Sequence, residues 1–102
     1  MKVQRYEIYL ADLNPTQGSE ICTIRPVVII SQNAMNKHLE TVVTCPLTSS
    51  LHPTWRSRQQ ISCAGKPAEI AVDQIRTISK TRLRQKIDTL SKTDASQLRR
   101  LI

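Results

Sequence analysis

An arginine and a threonine are the two residues whose types and positions in this sequence suggest chemistry. Arg25 stands directly before Pro26, at the start of RPVVIIS, and Thr48 follows TVVTCPL. A residue before proline is kept out of the helical region, so Arg25 is predicted to be extended at the end of a stiff strand. Its planar guanidinium presents a donor fork that matches a phosphate group. If the two strands are neighbours, the pair predicts a phosphate site without a metal, and a plain surface arginine is the alternative.

No other motif of the sequence competes with that pair. The chain lacks a P-loop, GxSxG, HExxH or GxGxxG motif, and its carboxylates are too scattered to hold Mg²⁺. Cys22, Cys45 and Cys63 lie far apart without CxxC spacing, which argues against zinc and favours buried, reduced thiols. His38 and His52 are predicted to be surface residues, with a two-histidine acid–base pair as the alternative. We therefore expect no metal and no cofactor.

Composition and charge limit the class of protein. With 102 residues and no Phe, the chain predicts one small domain, residues 1–102, with a core of Val, Ile and Leu. No run of about 18 apolar residues is present to span a membrane, and the N-terminus lacks an apolar signal core, so we expect a cytoplasmic protein. The net charge of +7 is concentrated in residues 76–102, which hold eight Lys or Arg and two acids. Such a segment suits nucleic acid, an anionic membrane or an acidic protein, or is a solvated face.

The elements that would position the arginine and the threonine are mostly strands. Alternating residues 6–11 predict one strand, and the β-branched run at 25–31 predicts a second that is covered on both faces. Residues 41–47 predict a third strand, which should end, bulge or lie at an edge near Pro46. Residues 58–63 and 68–73 predict a hairpin, and residues 33–39 and 91–102 predict two helices. Residues 74–90 predict short extended pieces. The expected fold is mainly β with short helices, a small bent sheet or barrel.

The C-terminal helix carries its own signals. Ser91 is the expected N-cap, and Ala95, Leu98 and Leu101 or Ile102 form the expected apolar stripe. We expect this stripe to face the core.

Four segments in a fixed order give the sequence a family resemblance. IYLADLNPTQGSE, RPVVIIS, VVTCPLTS and VDQIRTISKTRL resemble the MazF/PemK toxins of type II toxin–antitoxin pairs over about residues 5–90. The resemblance implies a small SH3-like β-barrel of the MazF/CcdB/PemK type with a C-terminal helix, in a homodimer. It implies a metal-independent endoribonuclease that cuts single-stranded RNA, chiefly mRNA, at specific sequences and so inhibits translation and growth. It also implies a cognate acidic antitoxin, MazE-like, as a partner.

The same resemblance implies roles for individual residues. The essential arginine and threonine of the family map onto Arg25 and Thr48. The loop after the first strand and the DQIRTI block imply RNA-binding residues: Asn14, Thr16, Gln17, Ser19, Glu20 and Gln74. The implied reaction is attack of the RNA 2′-hydroxyl on the adjacent phosphate, which leaves a 2′,3′-cyclic phosphate and a 5′-hydroxyl. Arg25 would stabilise the phosphate charge and Thr48 would donate a hydrogen bond to it.

Several assignments stay open on sequence alone. Glu20 is either the base for the 2′-hydroxyl or a solvated loop acid. Trp55 either stacks on an RNA base or covers a thin core. Residues 76–102 contact either the RNA backbone or the antitoxin. Rival functions are a non-catalytic nucleic-acid-binding barrel, an inactive toxin, and a gyrase-poisoning toxin of the same fold, which the absence of a C-terminal Trp disfavours. The RNA sequence that is cut is not determined.

Overall fold

Antiparallel strands dominate the molecule. The structure is a computed structural model that describes residues 2–13 and 24–102. In these ranges the strands are β1 Glu7–Asp12, β2 Ile24–Ile29, β3 Thr41–Thr48, β4 Arg58–Cys63, β5 Lys66–Ala71, β6 Arg76–Ser79 and β7 Leu83–Thr89, and the α-helices are α1 Asn33–His38 and α2 Lys92–Leu101. Short 3₁₀ turns at Val72–Gln74 and Lys80–Arg82 flank β6. Neither α-helix of the described ranges is long and apolar enough to cross a bilayer.

β3 is the strand at which the sheet bends. Its first half pairs with β6, its middle with β2, and its last two residues, Leu47 and Thr48, with β5. The sheet order is therefore β4-β5-β3-β2-β1-β7, with β6 attached to β3. Pro46, which lacks an N–H, lies between the stretch that pairs with β6 and the stretch that pairs with β5. Of the predicted alternatives, an end at Pro46 is wrong: the strand changes partner there and continues to Thr48.

β2 separates two clusters of buried side chains. Val28 and Ile30 belong to the cluster that α2 covers, and Val27 and Ile29 belong to the other. All three residues of Val27–Ile29 are 0% exposed, because successive residues of a strand point to opposite faces and both faces are covered here. The predicted two-sided burial of this strand is confirmed, and it gives Arg25 a backbone that is fixed from both sides.

α2 matches the prediction over its first two turns. The Ser91 hydroxyl accepts a 3.1 Å hydrogen bond from the Asp94 N–H as the N-cap. Ala95 and Leu98 are buried against the core. Leu101 and Ile102 are 37% and 54% exposed, so the predicted stripe is wrong at its end. Among the α2 residues, the core cluster ends at Leu98, so the last turn of the helix is exposed.

The hairpin of β4 and β5 turns more tightly than the sequence suggested. Ala64 and Gly65 have φ values of 50° and 81°, the pair of positive values that a two-residue type I′ turn requires. β5 therefore begins at Lys66 rather than at Ala68. The Ala64 N–H donates a 2.8 Å hydrogen bond to Asp88 on β7, which lowers the pKa of Asp88 and fixes the hairpin tip against that strand.

Candidate active site

The ladder between β2 and β3 brings the arginine and the threonine together. It pairs Val27 with Pro46 and Val28 with Cys45. Continued by two residues, this register sets Arg25 opposite Thr48, so that both side chains share one face. Arg25 is held on its other side by β1, and Thr48 on its other side by β5. The predicted neighbouring of the two strands is confirmed, and the two side chains line the same concave surfaces.

Two concavities flank Arg25 and Thr48. The wide groove has a volume of about 460 Å³ and carries Ser49 and Lys66 beside them. Its remaining lining is largely apolar: Ile24, Pro26, Leu47, Cys63, Ala64, Pro67, Ala68 and Ile87. The side pocket is smaller, about 150 Å³, and more polar, with these further lining residues: Pro46, Leu47, Ser50, His52, Arg58, Ala71 and Gln74. No carboxylate is among the described residues that line either concavity, so the charge of both is positive.

The donors of the arginine and the threonine are available to a ligand. Arg25 is exposed, and within residues 2–13 and 24–102 no hydrogen bond or ion pair is made by its guanidinium. The Thr48 Oγ1 accepts a 3.0 Å hydrogen bond from the Ser50 N–H. That bond orients the hydroxyl and leaves its proton free to donate. A fixed hydroxyl and an open guanidinium on one face suit the oxygens of a phosphate.

An ion cluster of Arg58, Glu69 and Asp73 lies beside the side pocket. Arg58 Nη1 is 2.6 Å from a Glu69 carboxylate oxygen, and Arg58 Nε is 2.9 Å from an Asp73 carboxylate oxygen. The other Glu69 oxygen accepts hydrogen bonds from Gln60 Nε2, at 2.6 Å, and from the His52 N–H. Burial raises the pKa of Glu69, but the hydrogen bonds from Gln60, His52 and Arg58 outweigh it and the net pKa is lowered. Glu69 is thus an ionised structural anchor.

Sequence reasoning passed over Glu69 as one of several scattered acids. It is 0% exposed, and the two residues that follow it at the end of β5, Ile70 and Ala71, are also buried. A carboxylate flanked on both sides by apolar residues, Ala68 and Ile70, was the available signal, because buried carboxylates are almost always paired.

The loop between β3 and β4 carries two stacked aromatic rings, and the residue that bears one of them, His52, lines the side pocket. Trp55 is 47% exposed and belongs to neither core cluster, so the alternative that it covers the core is wrong. Its ring stacks on that of His52, with centroids 3.9 Å apart and planes at 9°. His52 lines the side pocket, whereas His38 is exposed on α1 and lines neither concavity. The two-histidine pair is therefore not formed.

Of the RNA-binding residues that the resemblance implied, the structure places one. Gln74 lines the side pocket together with Arg25 and Thr48. The others lie outside the described residues: Asn14, Thr16, Gln17, Ser19 and Glu20. The proposed use of Glu20 as a base is untested for the same reason.

The cysteines of the described ranges are buried thiols. Cys45 and Cys63 are free and buried, and Cys22 lies outside the described residues. Burial raises the pKa of Cys45 to about 12 and also raises the pKa of Cys63, so neither is a thiolate at neutral pH. Among residues 2–13 and 24–102, no group of three or more His, Cys, Asp or Glu is placed to hold a metal ion.

The basic C-terminal segment is not the source of positive charge in the concavities. Two of its cations pair with acids of β1: Lys86 with Glu7 at 2.8 Å and Arg84 with Asp12 at 3.5 Å. From residues 76–102 only the apolar Ile87 is among the described lining residues. The cations of the two concavities are Arg25, Lys66 and Arg58.

Solved structures share this architecture. The Mycobacterium tuberculosis toxin MazF-mt6 superposes with a TM-score of 0.79 at 21% identity, over 94% of this chain and 91% of that one. A MazE–MazF crystal structure from Deinococcus radiodurans gives a TM-score of 0.81 at 16% identity, over 99% and 94%. The fold is therefore the small β-barrel with a C-terminal helix that is found in MazF toxins, as the sequence predicted.

Sequence comparison assigns the family. The family described as "PemK-like, MazF-like toxin of type II toxin-antitoxin system" matches residues 4–102. The Endoribonuclease MazF of Staphylococcus saprophyticus is 39% identical over 97 residues, which span 87% of this chain and 78% of that protein. The chain belongs to the PemK-like, MazF-like toxins of type II toxin–antitoxin systems.

Proposed function

We propose that this toxin is an endoribonuclease that cuts single-stranded RNA, chiefly mRNA, between the wide groove and the side pocket. A relative in the same family is named Endoribonuclease MazF. One observation carries the proposal: Arg25, with an open guanidinium, and Thr48 line the same two concavities, and no described carboxylate lines either of them. A polyanion is attracted to such a surface, and no acid lines it to repel the phosphates.

The chemistry follows from the two donors. The RNA 2′-oxygen loses its proton and bonds to the adjacent phosphorus. The bond from phosphorus to the 5′-oxygen breaks, and that oxygen takes up a proton. The products are a 2′,3′-cyclic phosphate and a 5′-hydroxyl. Arg25 binds a non-bridging oxygen and stabilises the charge that builds on it, and Thr48 donates a hydrogen bond to the same phosphate. Since a guanidinium does not deprotonate readily, charge stabilisation is the main task of Arg25.

Single-stranded RNA suits the shape of the two concavities. The apolar lining of the wide groove accepts the face of an unpaired base, and Gln74 in the side pocket offers an amide to a base edge. Bases are free to make such contacts only when they are unpaired and unstacked. The proposed specificity therefore resides in the residues that surround Arg25 and Thr48.

The proposal includes a homodimer and an acidic MazE-like antitoxin. Among the described strands β6 pairs only with β3, so its other edge is open to a partner. The net charge of +7 favours an acidic antitoxin segment. A solved structure from Deinococcus radiodurans contains a MazF toxin of this fold together with MazE. Since mRNA is the proposed substrate, the proposed site of action is the cytoplasm.

The decisive experiment maps cleavage of a long RNA. The purified toxin is incubated with single-stranded RNA in the presence of EDTA, and the new ends are sequenced and tested for a cyclic phosphate. We expect cuts at a recurring short sequence, with 2′,3′-cyclic phosphate and 5′-hydroxyl ends, and no cuts in the duplexed RNA. RNA that is bound but left intact would support the non-catalytic barrel. Intact RNA together with inhibited gyrase would support the rival toxin class.

A further inference from the structure

The stacked rings of His52 and Trp55 have no role in the core. The loop that carries them, residues 49–57, connects β3 to β4. The two rings are nearly parallel, and the Arg58 guanidinium lies 4.7 Å from the centre of the Trp55 ring. Trp55 nevertheless remains 47% exposed, and its neighbour Leu51 is 43% exposed. Exposed apolar surface next to a concavity is typical of an interaction site.

Backbone and ionic contacts fix where the two rings lie. The His52 N–H donates to the buried Glu69 carboxylate, which also holds Arg58. The Trp55 N–H donates to the His52 carbonyl at 3.0 Å, and the Arg58 N–H donates to the Trp55 carbonyl at 3.3 Å. Glu69 is the ladder partner of Thr48. The two rings are thus held at a defined place relative to the Thr48 hydroxyl.

The rings also lie where an RNA strand would pass. His52 lines the side pocket together with Arg25 and Thr48. A nucleotide bound at that phosphate places its own base, or that of a neighbouring nucleotide, next to this pocket. His52 is the only aromatic residue among the described residues that line either concavity, since Trp55, Tyr6 and Tyr9 line neither. It is therefore the ring that a base in the side pocket would meet, and Trp55 stacks against it.

We propose that the His52–Trp55 stack is a platform for one nucleobase, adjacent to the phosphate held by Arg25 and Thr48. The proposal rests on the proposed function, since it assumes that a nucleic-acid strand occupies the concavities. Every nucleobase has a π-face, so stacking tolerates all four bases. The platform therefore fixes the position of the strand, and base identity is read by hydrogen bonds such as those of Gln74.

Trp55 is the only tryptophan of the chain, so its fluorescence reports the stack directly. Wild-type protein is titrated with a short single-stranded DNA of mixed sequence, which lacks the 2′-hydroxyl and cannot be cut by the proposed reaction. A second titration uses an abasic DNA of the same length, which keeps the phosphates and removes the bases. We expect the base-bearing strand to quench Trp55 fluorescence and the abasic strand to leave it nearly unchanged.

Variants separate stacking from loop stability. Binding of a labelled DNA strand, followed by anisotropy, is expected to weaken by about 5- to 150-fold in Trp55→Ala, the range measured for loss of one base–aromatic stack. Trp55→Phe keeps a ring and is expected to bind within about threefold of wild type. Leu39→Ala removes an equally exposed apolar side chain that lines neither concavity and is the matched control, with binding unchanged. Thermal unfolding verifies that each variant is folded.

Two outcomes overturn the platform. Equal quenching by the base-bearing and abasic strands means that phosphates alone perturb Trp55. If a folded Trp55→Ala variant binds the DNA strand with wild-type affinity, the ring stack stabilises only the loop and does not bind a base. Either result leaves RNA cleavage by the wild-type protein untouched. Conversely, base-dependent quenching without any RNA cleavage retains the platform and removes the proposed nuclease activity.

Discussion

Two arginines line the same side pocket, and the protein holds them in opposite ways. The Arg58 side chain is 7% exposed and lies between the carboxylates of Glu69 and Asp73. Arg25 is exposed, and its guanidinium has no partner within the described ranges. An arginine between two carboxylates already uses its donors and its charge is compensated, whereas an open arginine keeps both for a ligand. That a residue lines a pocket therefore does not by itself show that it binds a ligand.

Arg58 also supports the site of Arg25 indirectly, through its partner in the ion cluster. Its partner Glu69 pairs along the ladder with Thr48 and accepts the His52 N–H. The ion cluster consequently fixes both the end of β3 and the loop that follows it. We expect changes at Arg25 to affect chemistry alone, and changes in the cluster to affect stability first and chemistry second.

The largest expected effect comes from Arg25→Ala. Removing the open guanidinium from the site should lower the RNA cleavage rate by about 100- to 1,000-fold, as for other preorganised donors. The melting temperature should not change, because Arg25 has no described intramolecular partner. Gel assays at saturating RNA measure the rate. Arg100→Ala, an exposed arginine on α2, is the control and should cleave normally. Wild-type cleavage by Arg25→Ala would show that the site is assigned wrongly.

Thr48→Val should have the next largest effect. Valine keeps the shape of threonine but removes the hydroxyl, so we expect cleavage to fall by about 10- to 100-fold while RNA binding changes little. Thr48→Ser restores a hydroxyl that can still accept the Ser50 N–H, and should recover most of the rate. If serine and valine at this position behave alike, the hydroxyl has no catalytic role.

Glu69→Gln should lower stability more than it lowers RNA cleavage. A neutral amide cannot serve the Arg58, Gln60 and His52 donors as the carboxylate does, and buried donors are left partly unsatisfied. We expect the melting temperature to fall by roughly 5–10 °C, with cleavage reduced only a few-fold below that transition. Glu40→Gln, at an exposed position, is the matched control. A large loss of cleavage without any loss of stability would place Glu69 in the chemistry instead.

Acid pH should give the smallest and most gradual change. The pKa of Glu69 is lowered from its ordinary 4.5, and that of Asp73 from 3.8. Their contribution to stability is complete above those values and is lost as the pH falls through the lower folded-state pKa values. We expect a constant melting temperature above pH 4.5 and a decline below it, with a shallower decline in Glu69→Gln. Identical pH profiles for the two proteins would remove Glu69 from this effect.

The site residues Arg25 and Thr48 could be predicted from the sequence, whereas the ion cluster of Arg58, Glu69 and Asp73 could not. Arg25 and Thr48 were accessible because each follows from a local rule: a residue held extended by Pro26, and a hydroxyl at the end of a β-branched strand. The family resemblance then agreed with both. The burial of Val27–Ile29 on two faces was also readable from an unbroken apolar run.

The ion cluster and the ring stack depend on contacts that no local pattern encodes. Glu69 meets Arg58 from 11 residues away and His52 from 17. These contacts exist only because the tight Ala64–Gly65 turn folds β5 back on β4 and because β3 changes partner at Pro46. The exposure of Leu101 and Ile102 could not be predicted from local sequence either, because helical spacing does not show how far the core extends.

The change of partner along β3 has a mechanical consequence. Arg25 lies on a strand that pairs with β1, and Thr48 lies on the part of β3 that pairs with β5. The two donors are therefore held by different strand pairs, which meet where β3 changes partner. Their separation depends on how sharply β3 bends there. Loosening of either strand pair should show as slower turnover well before the barrel melts.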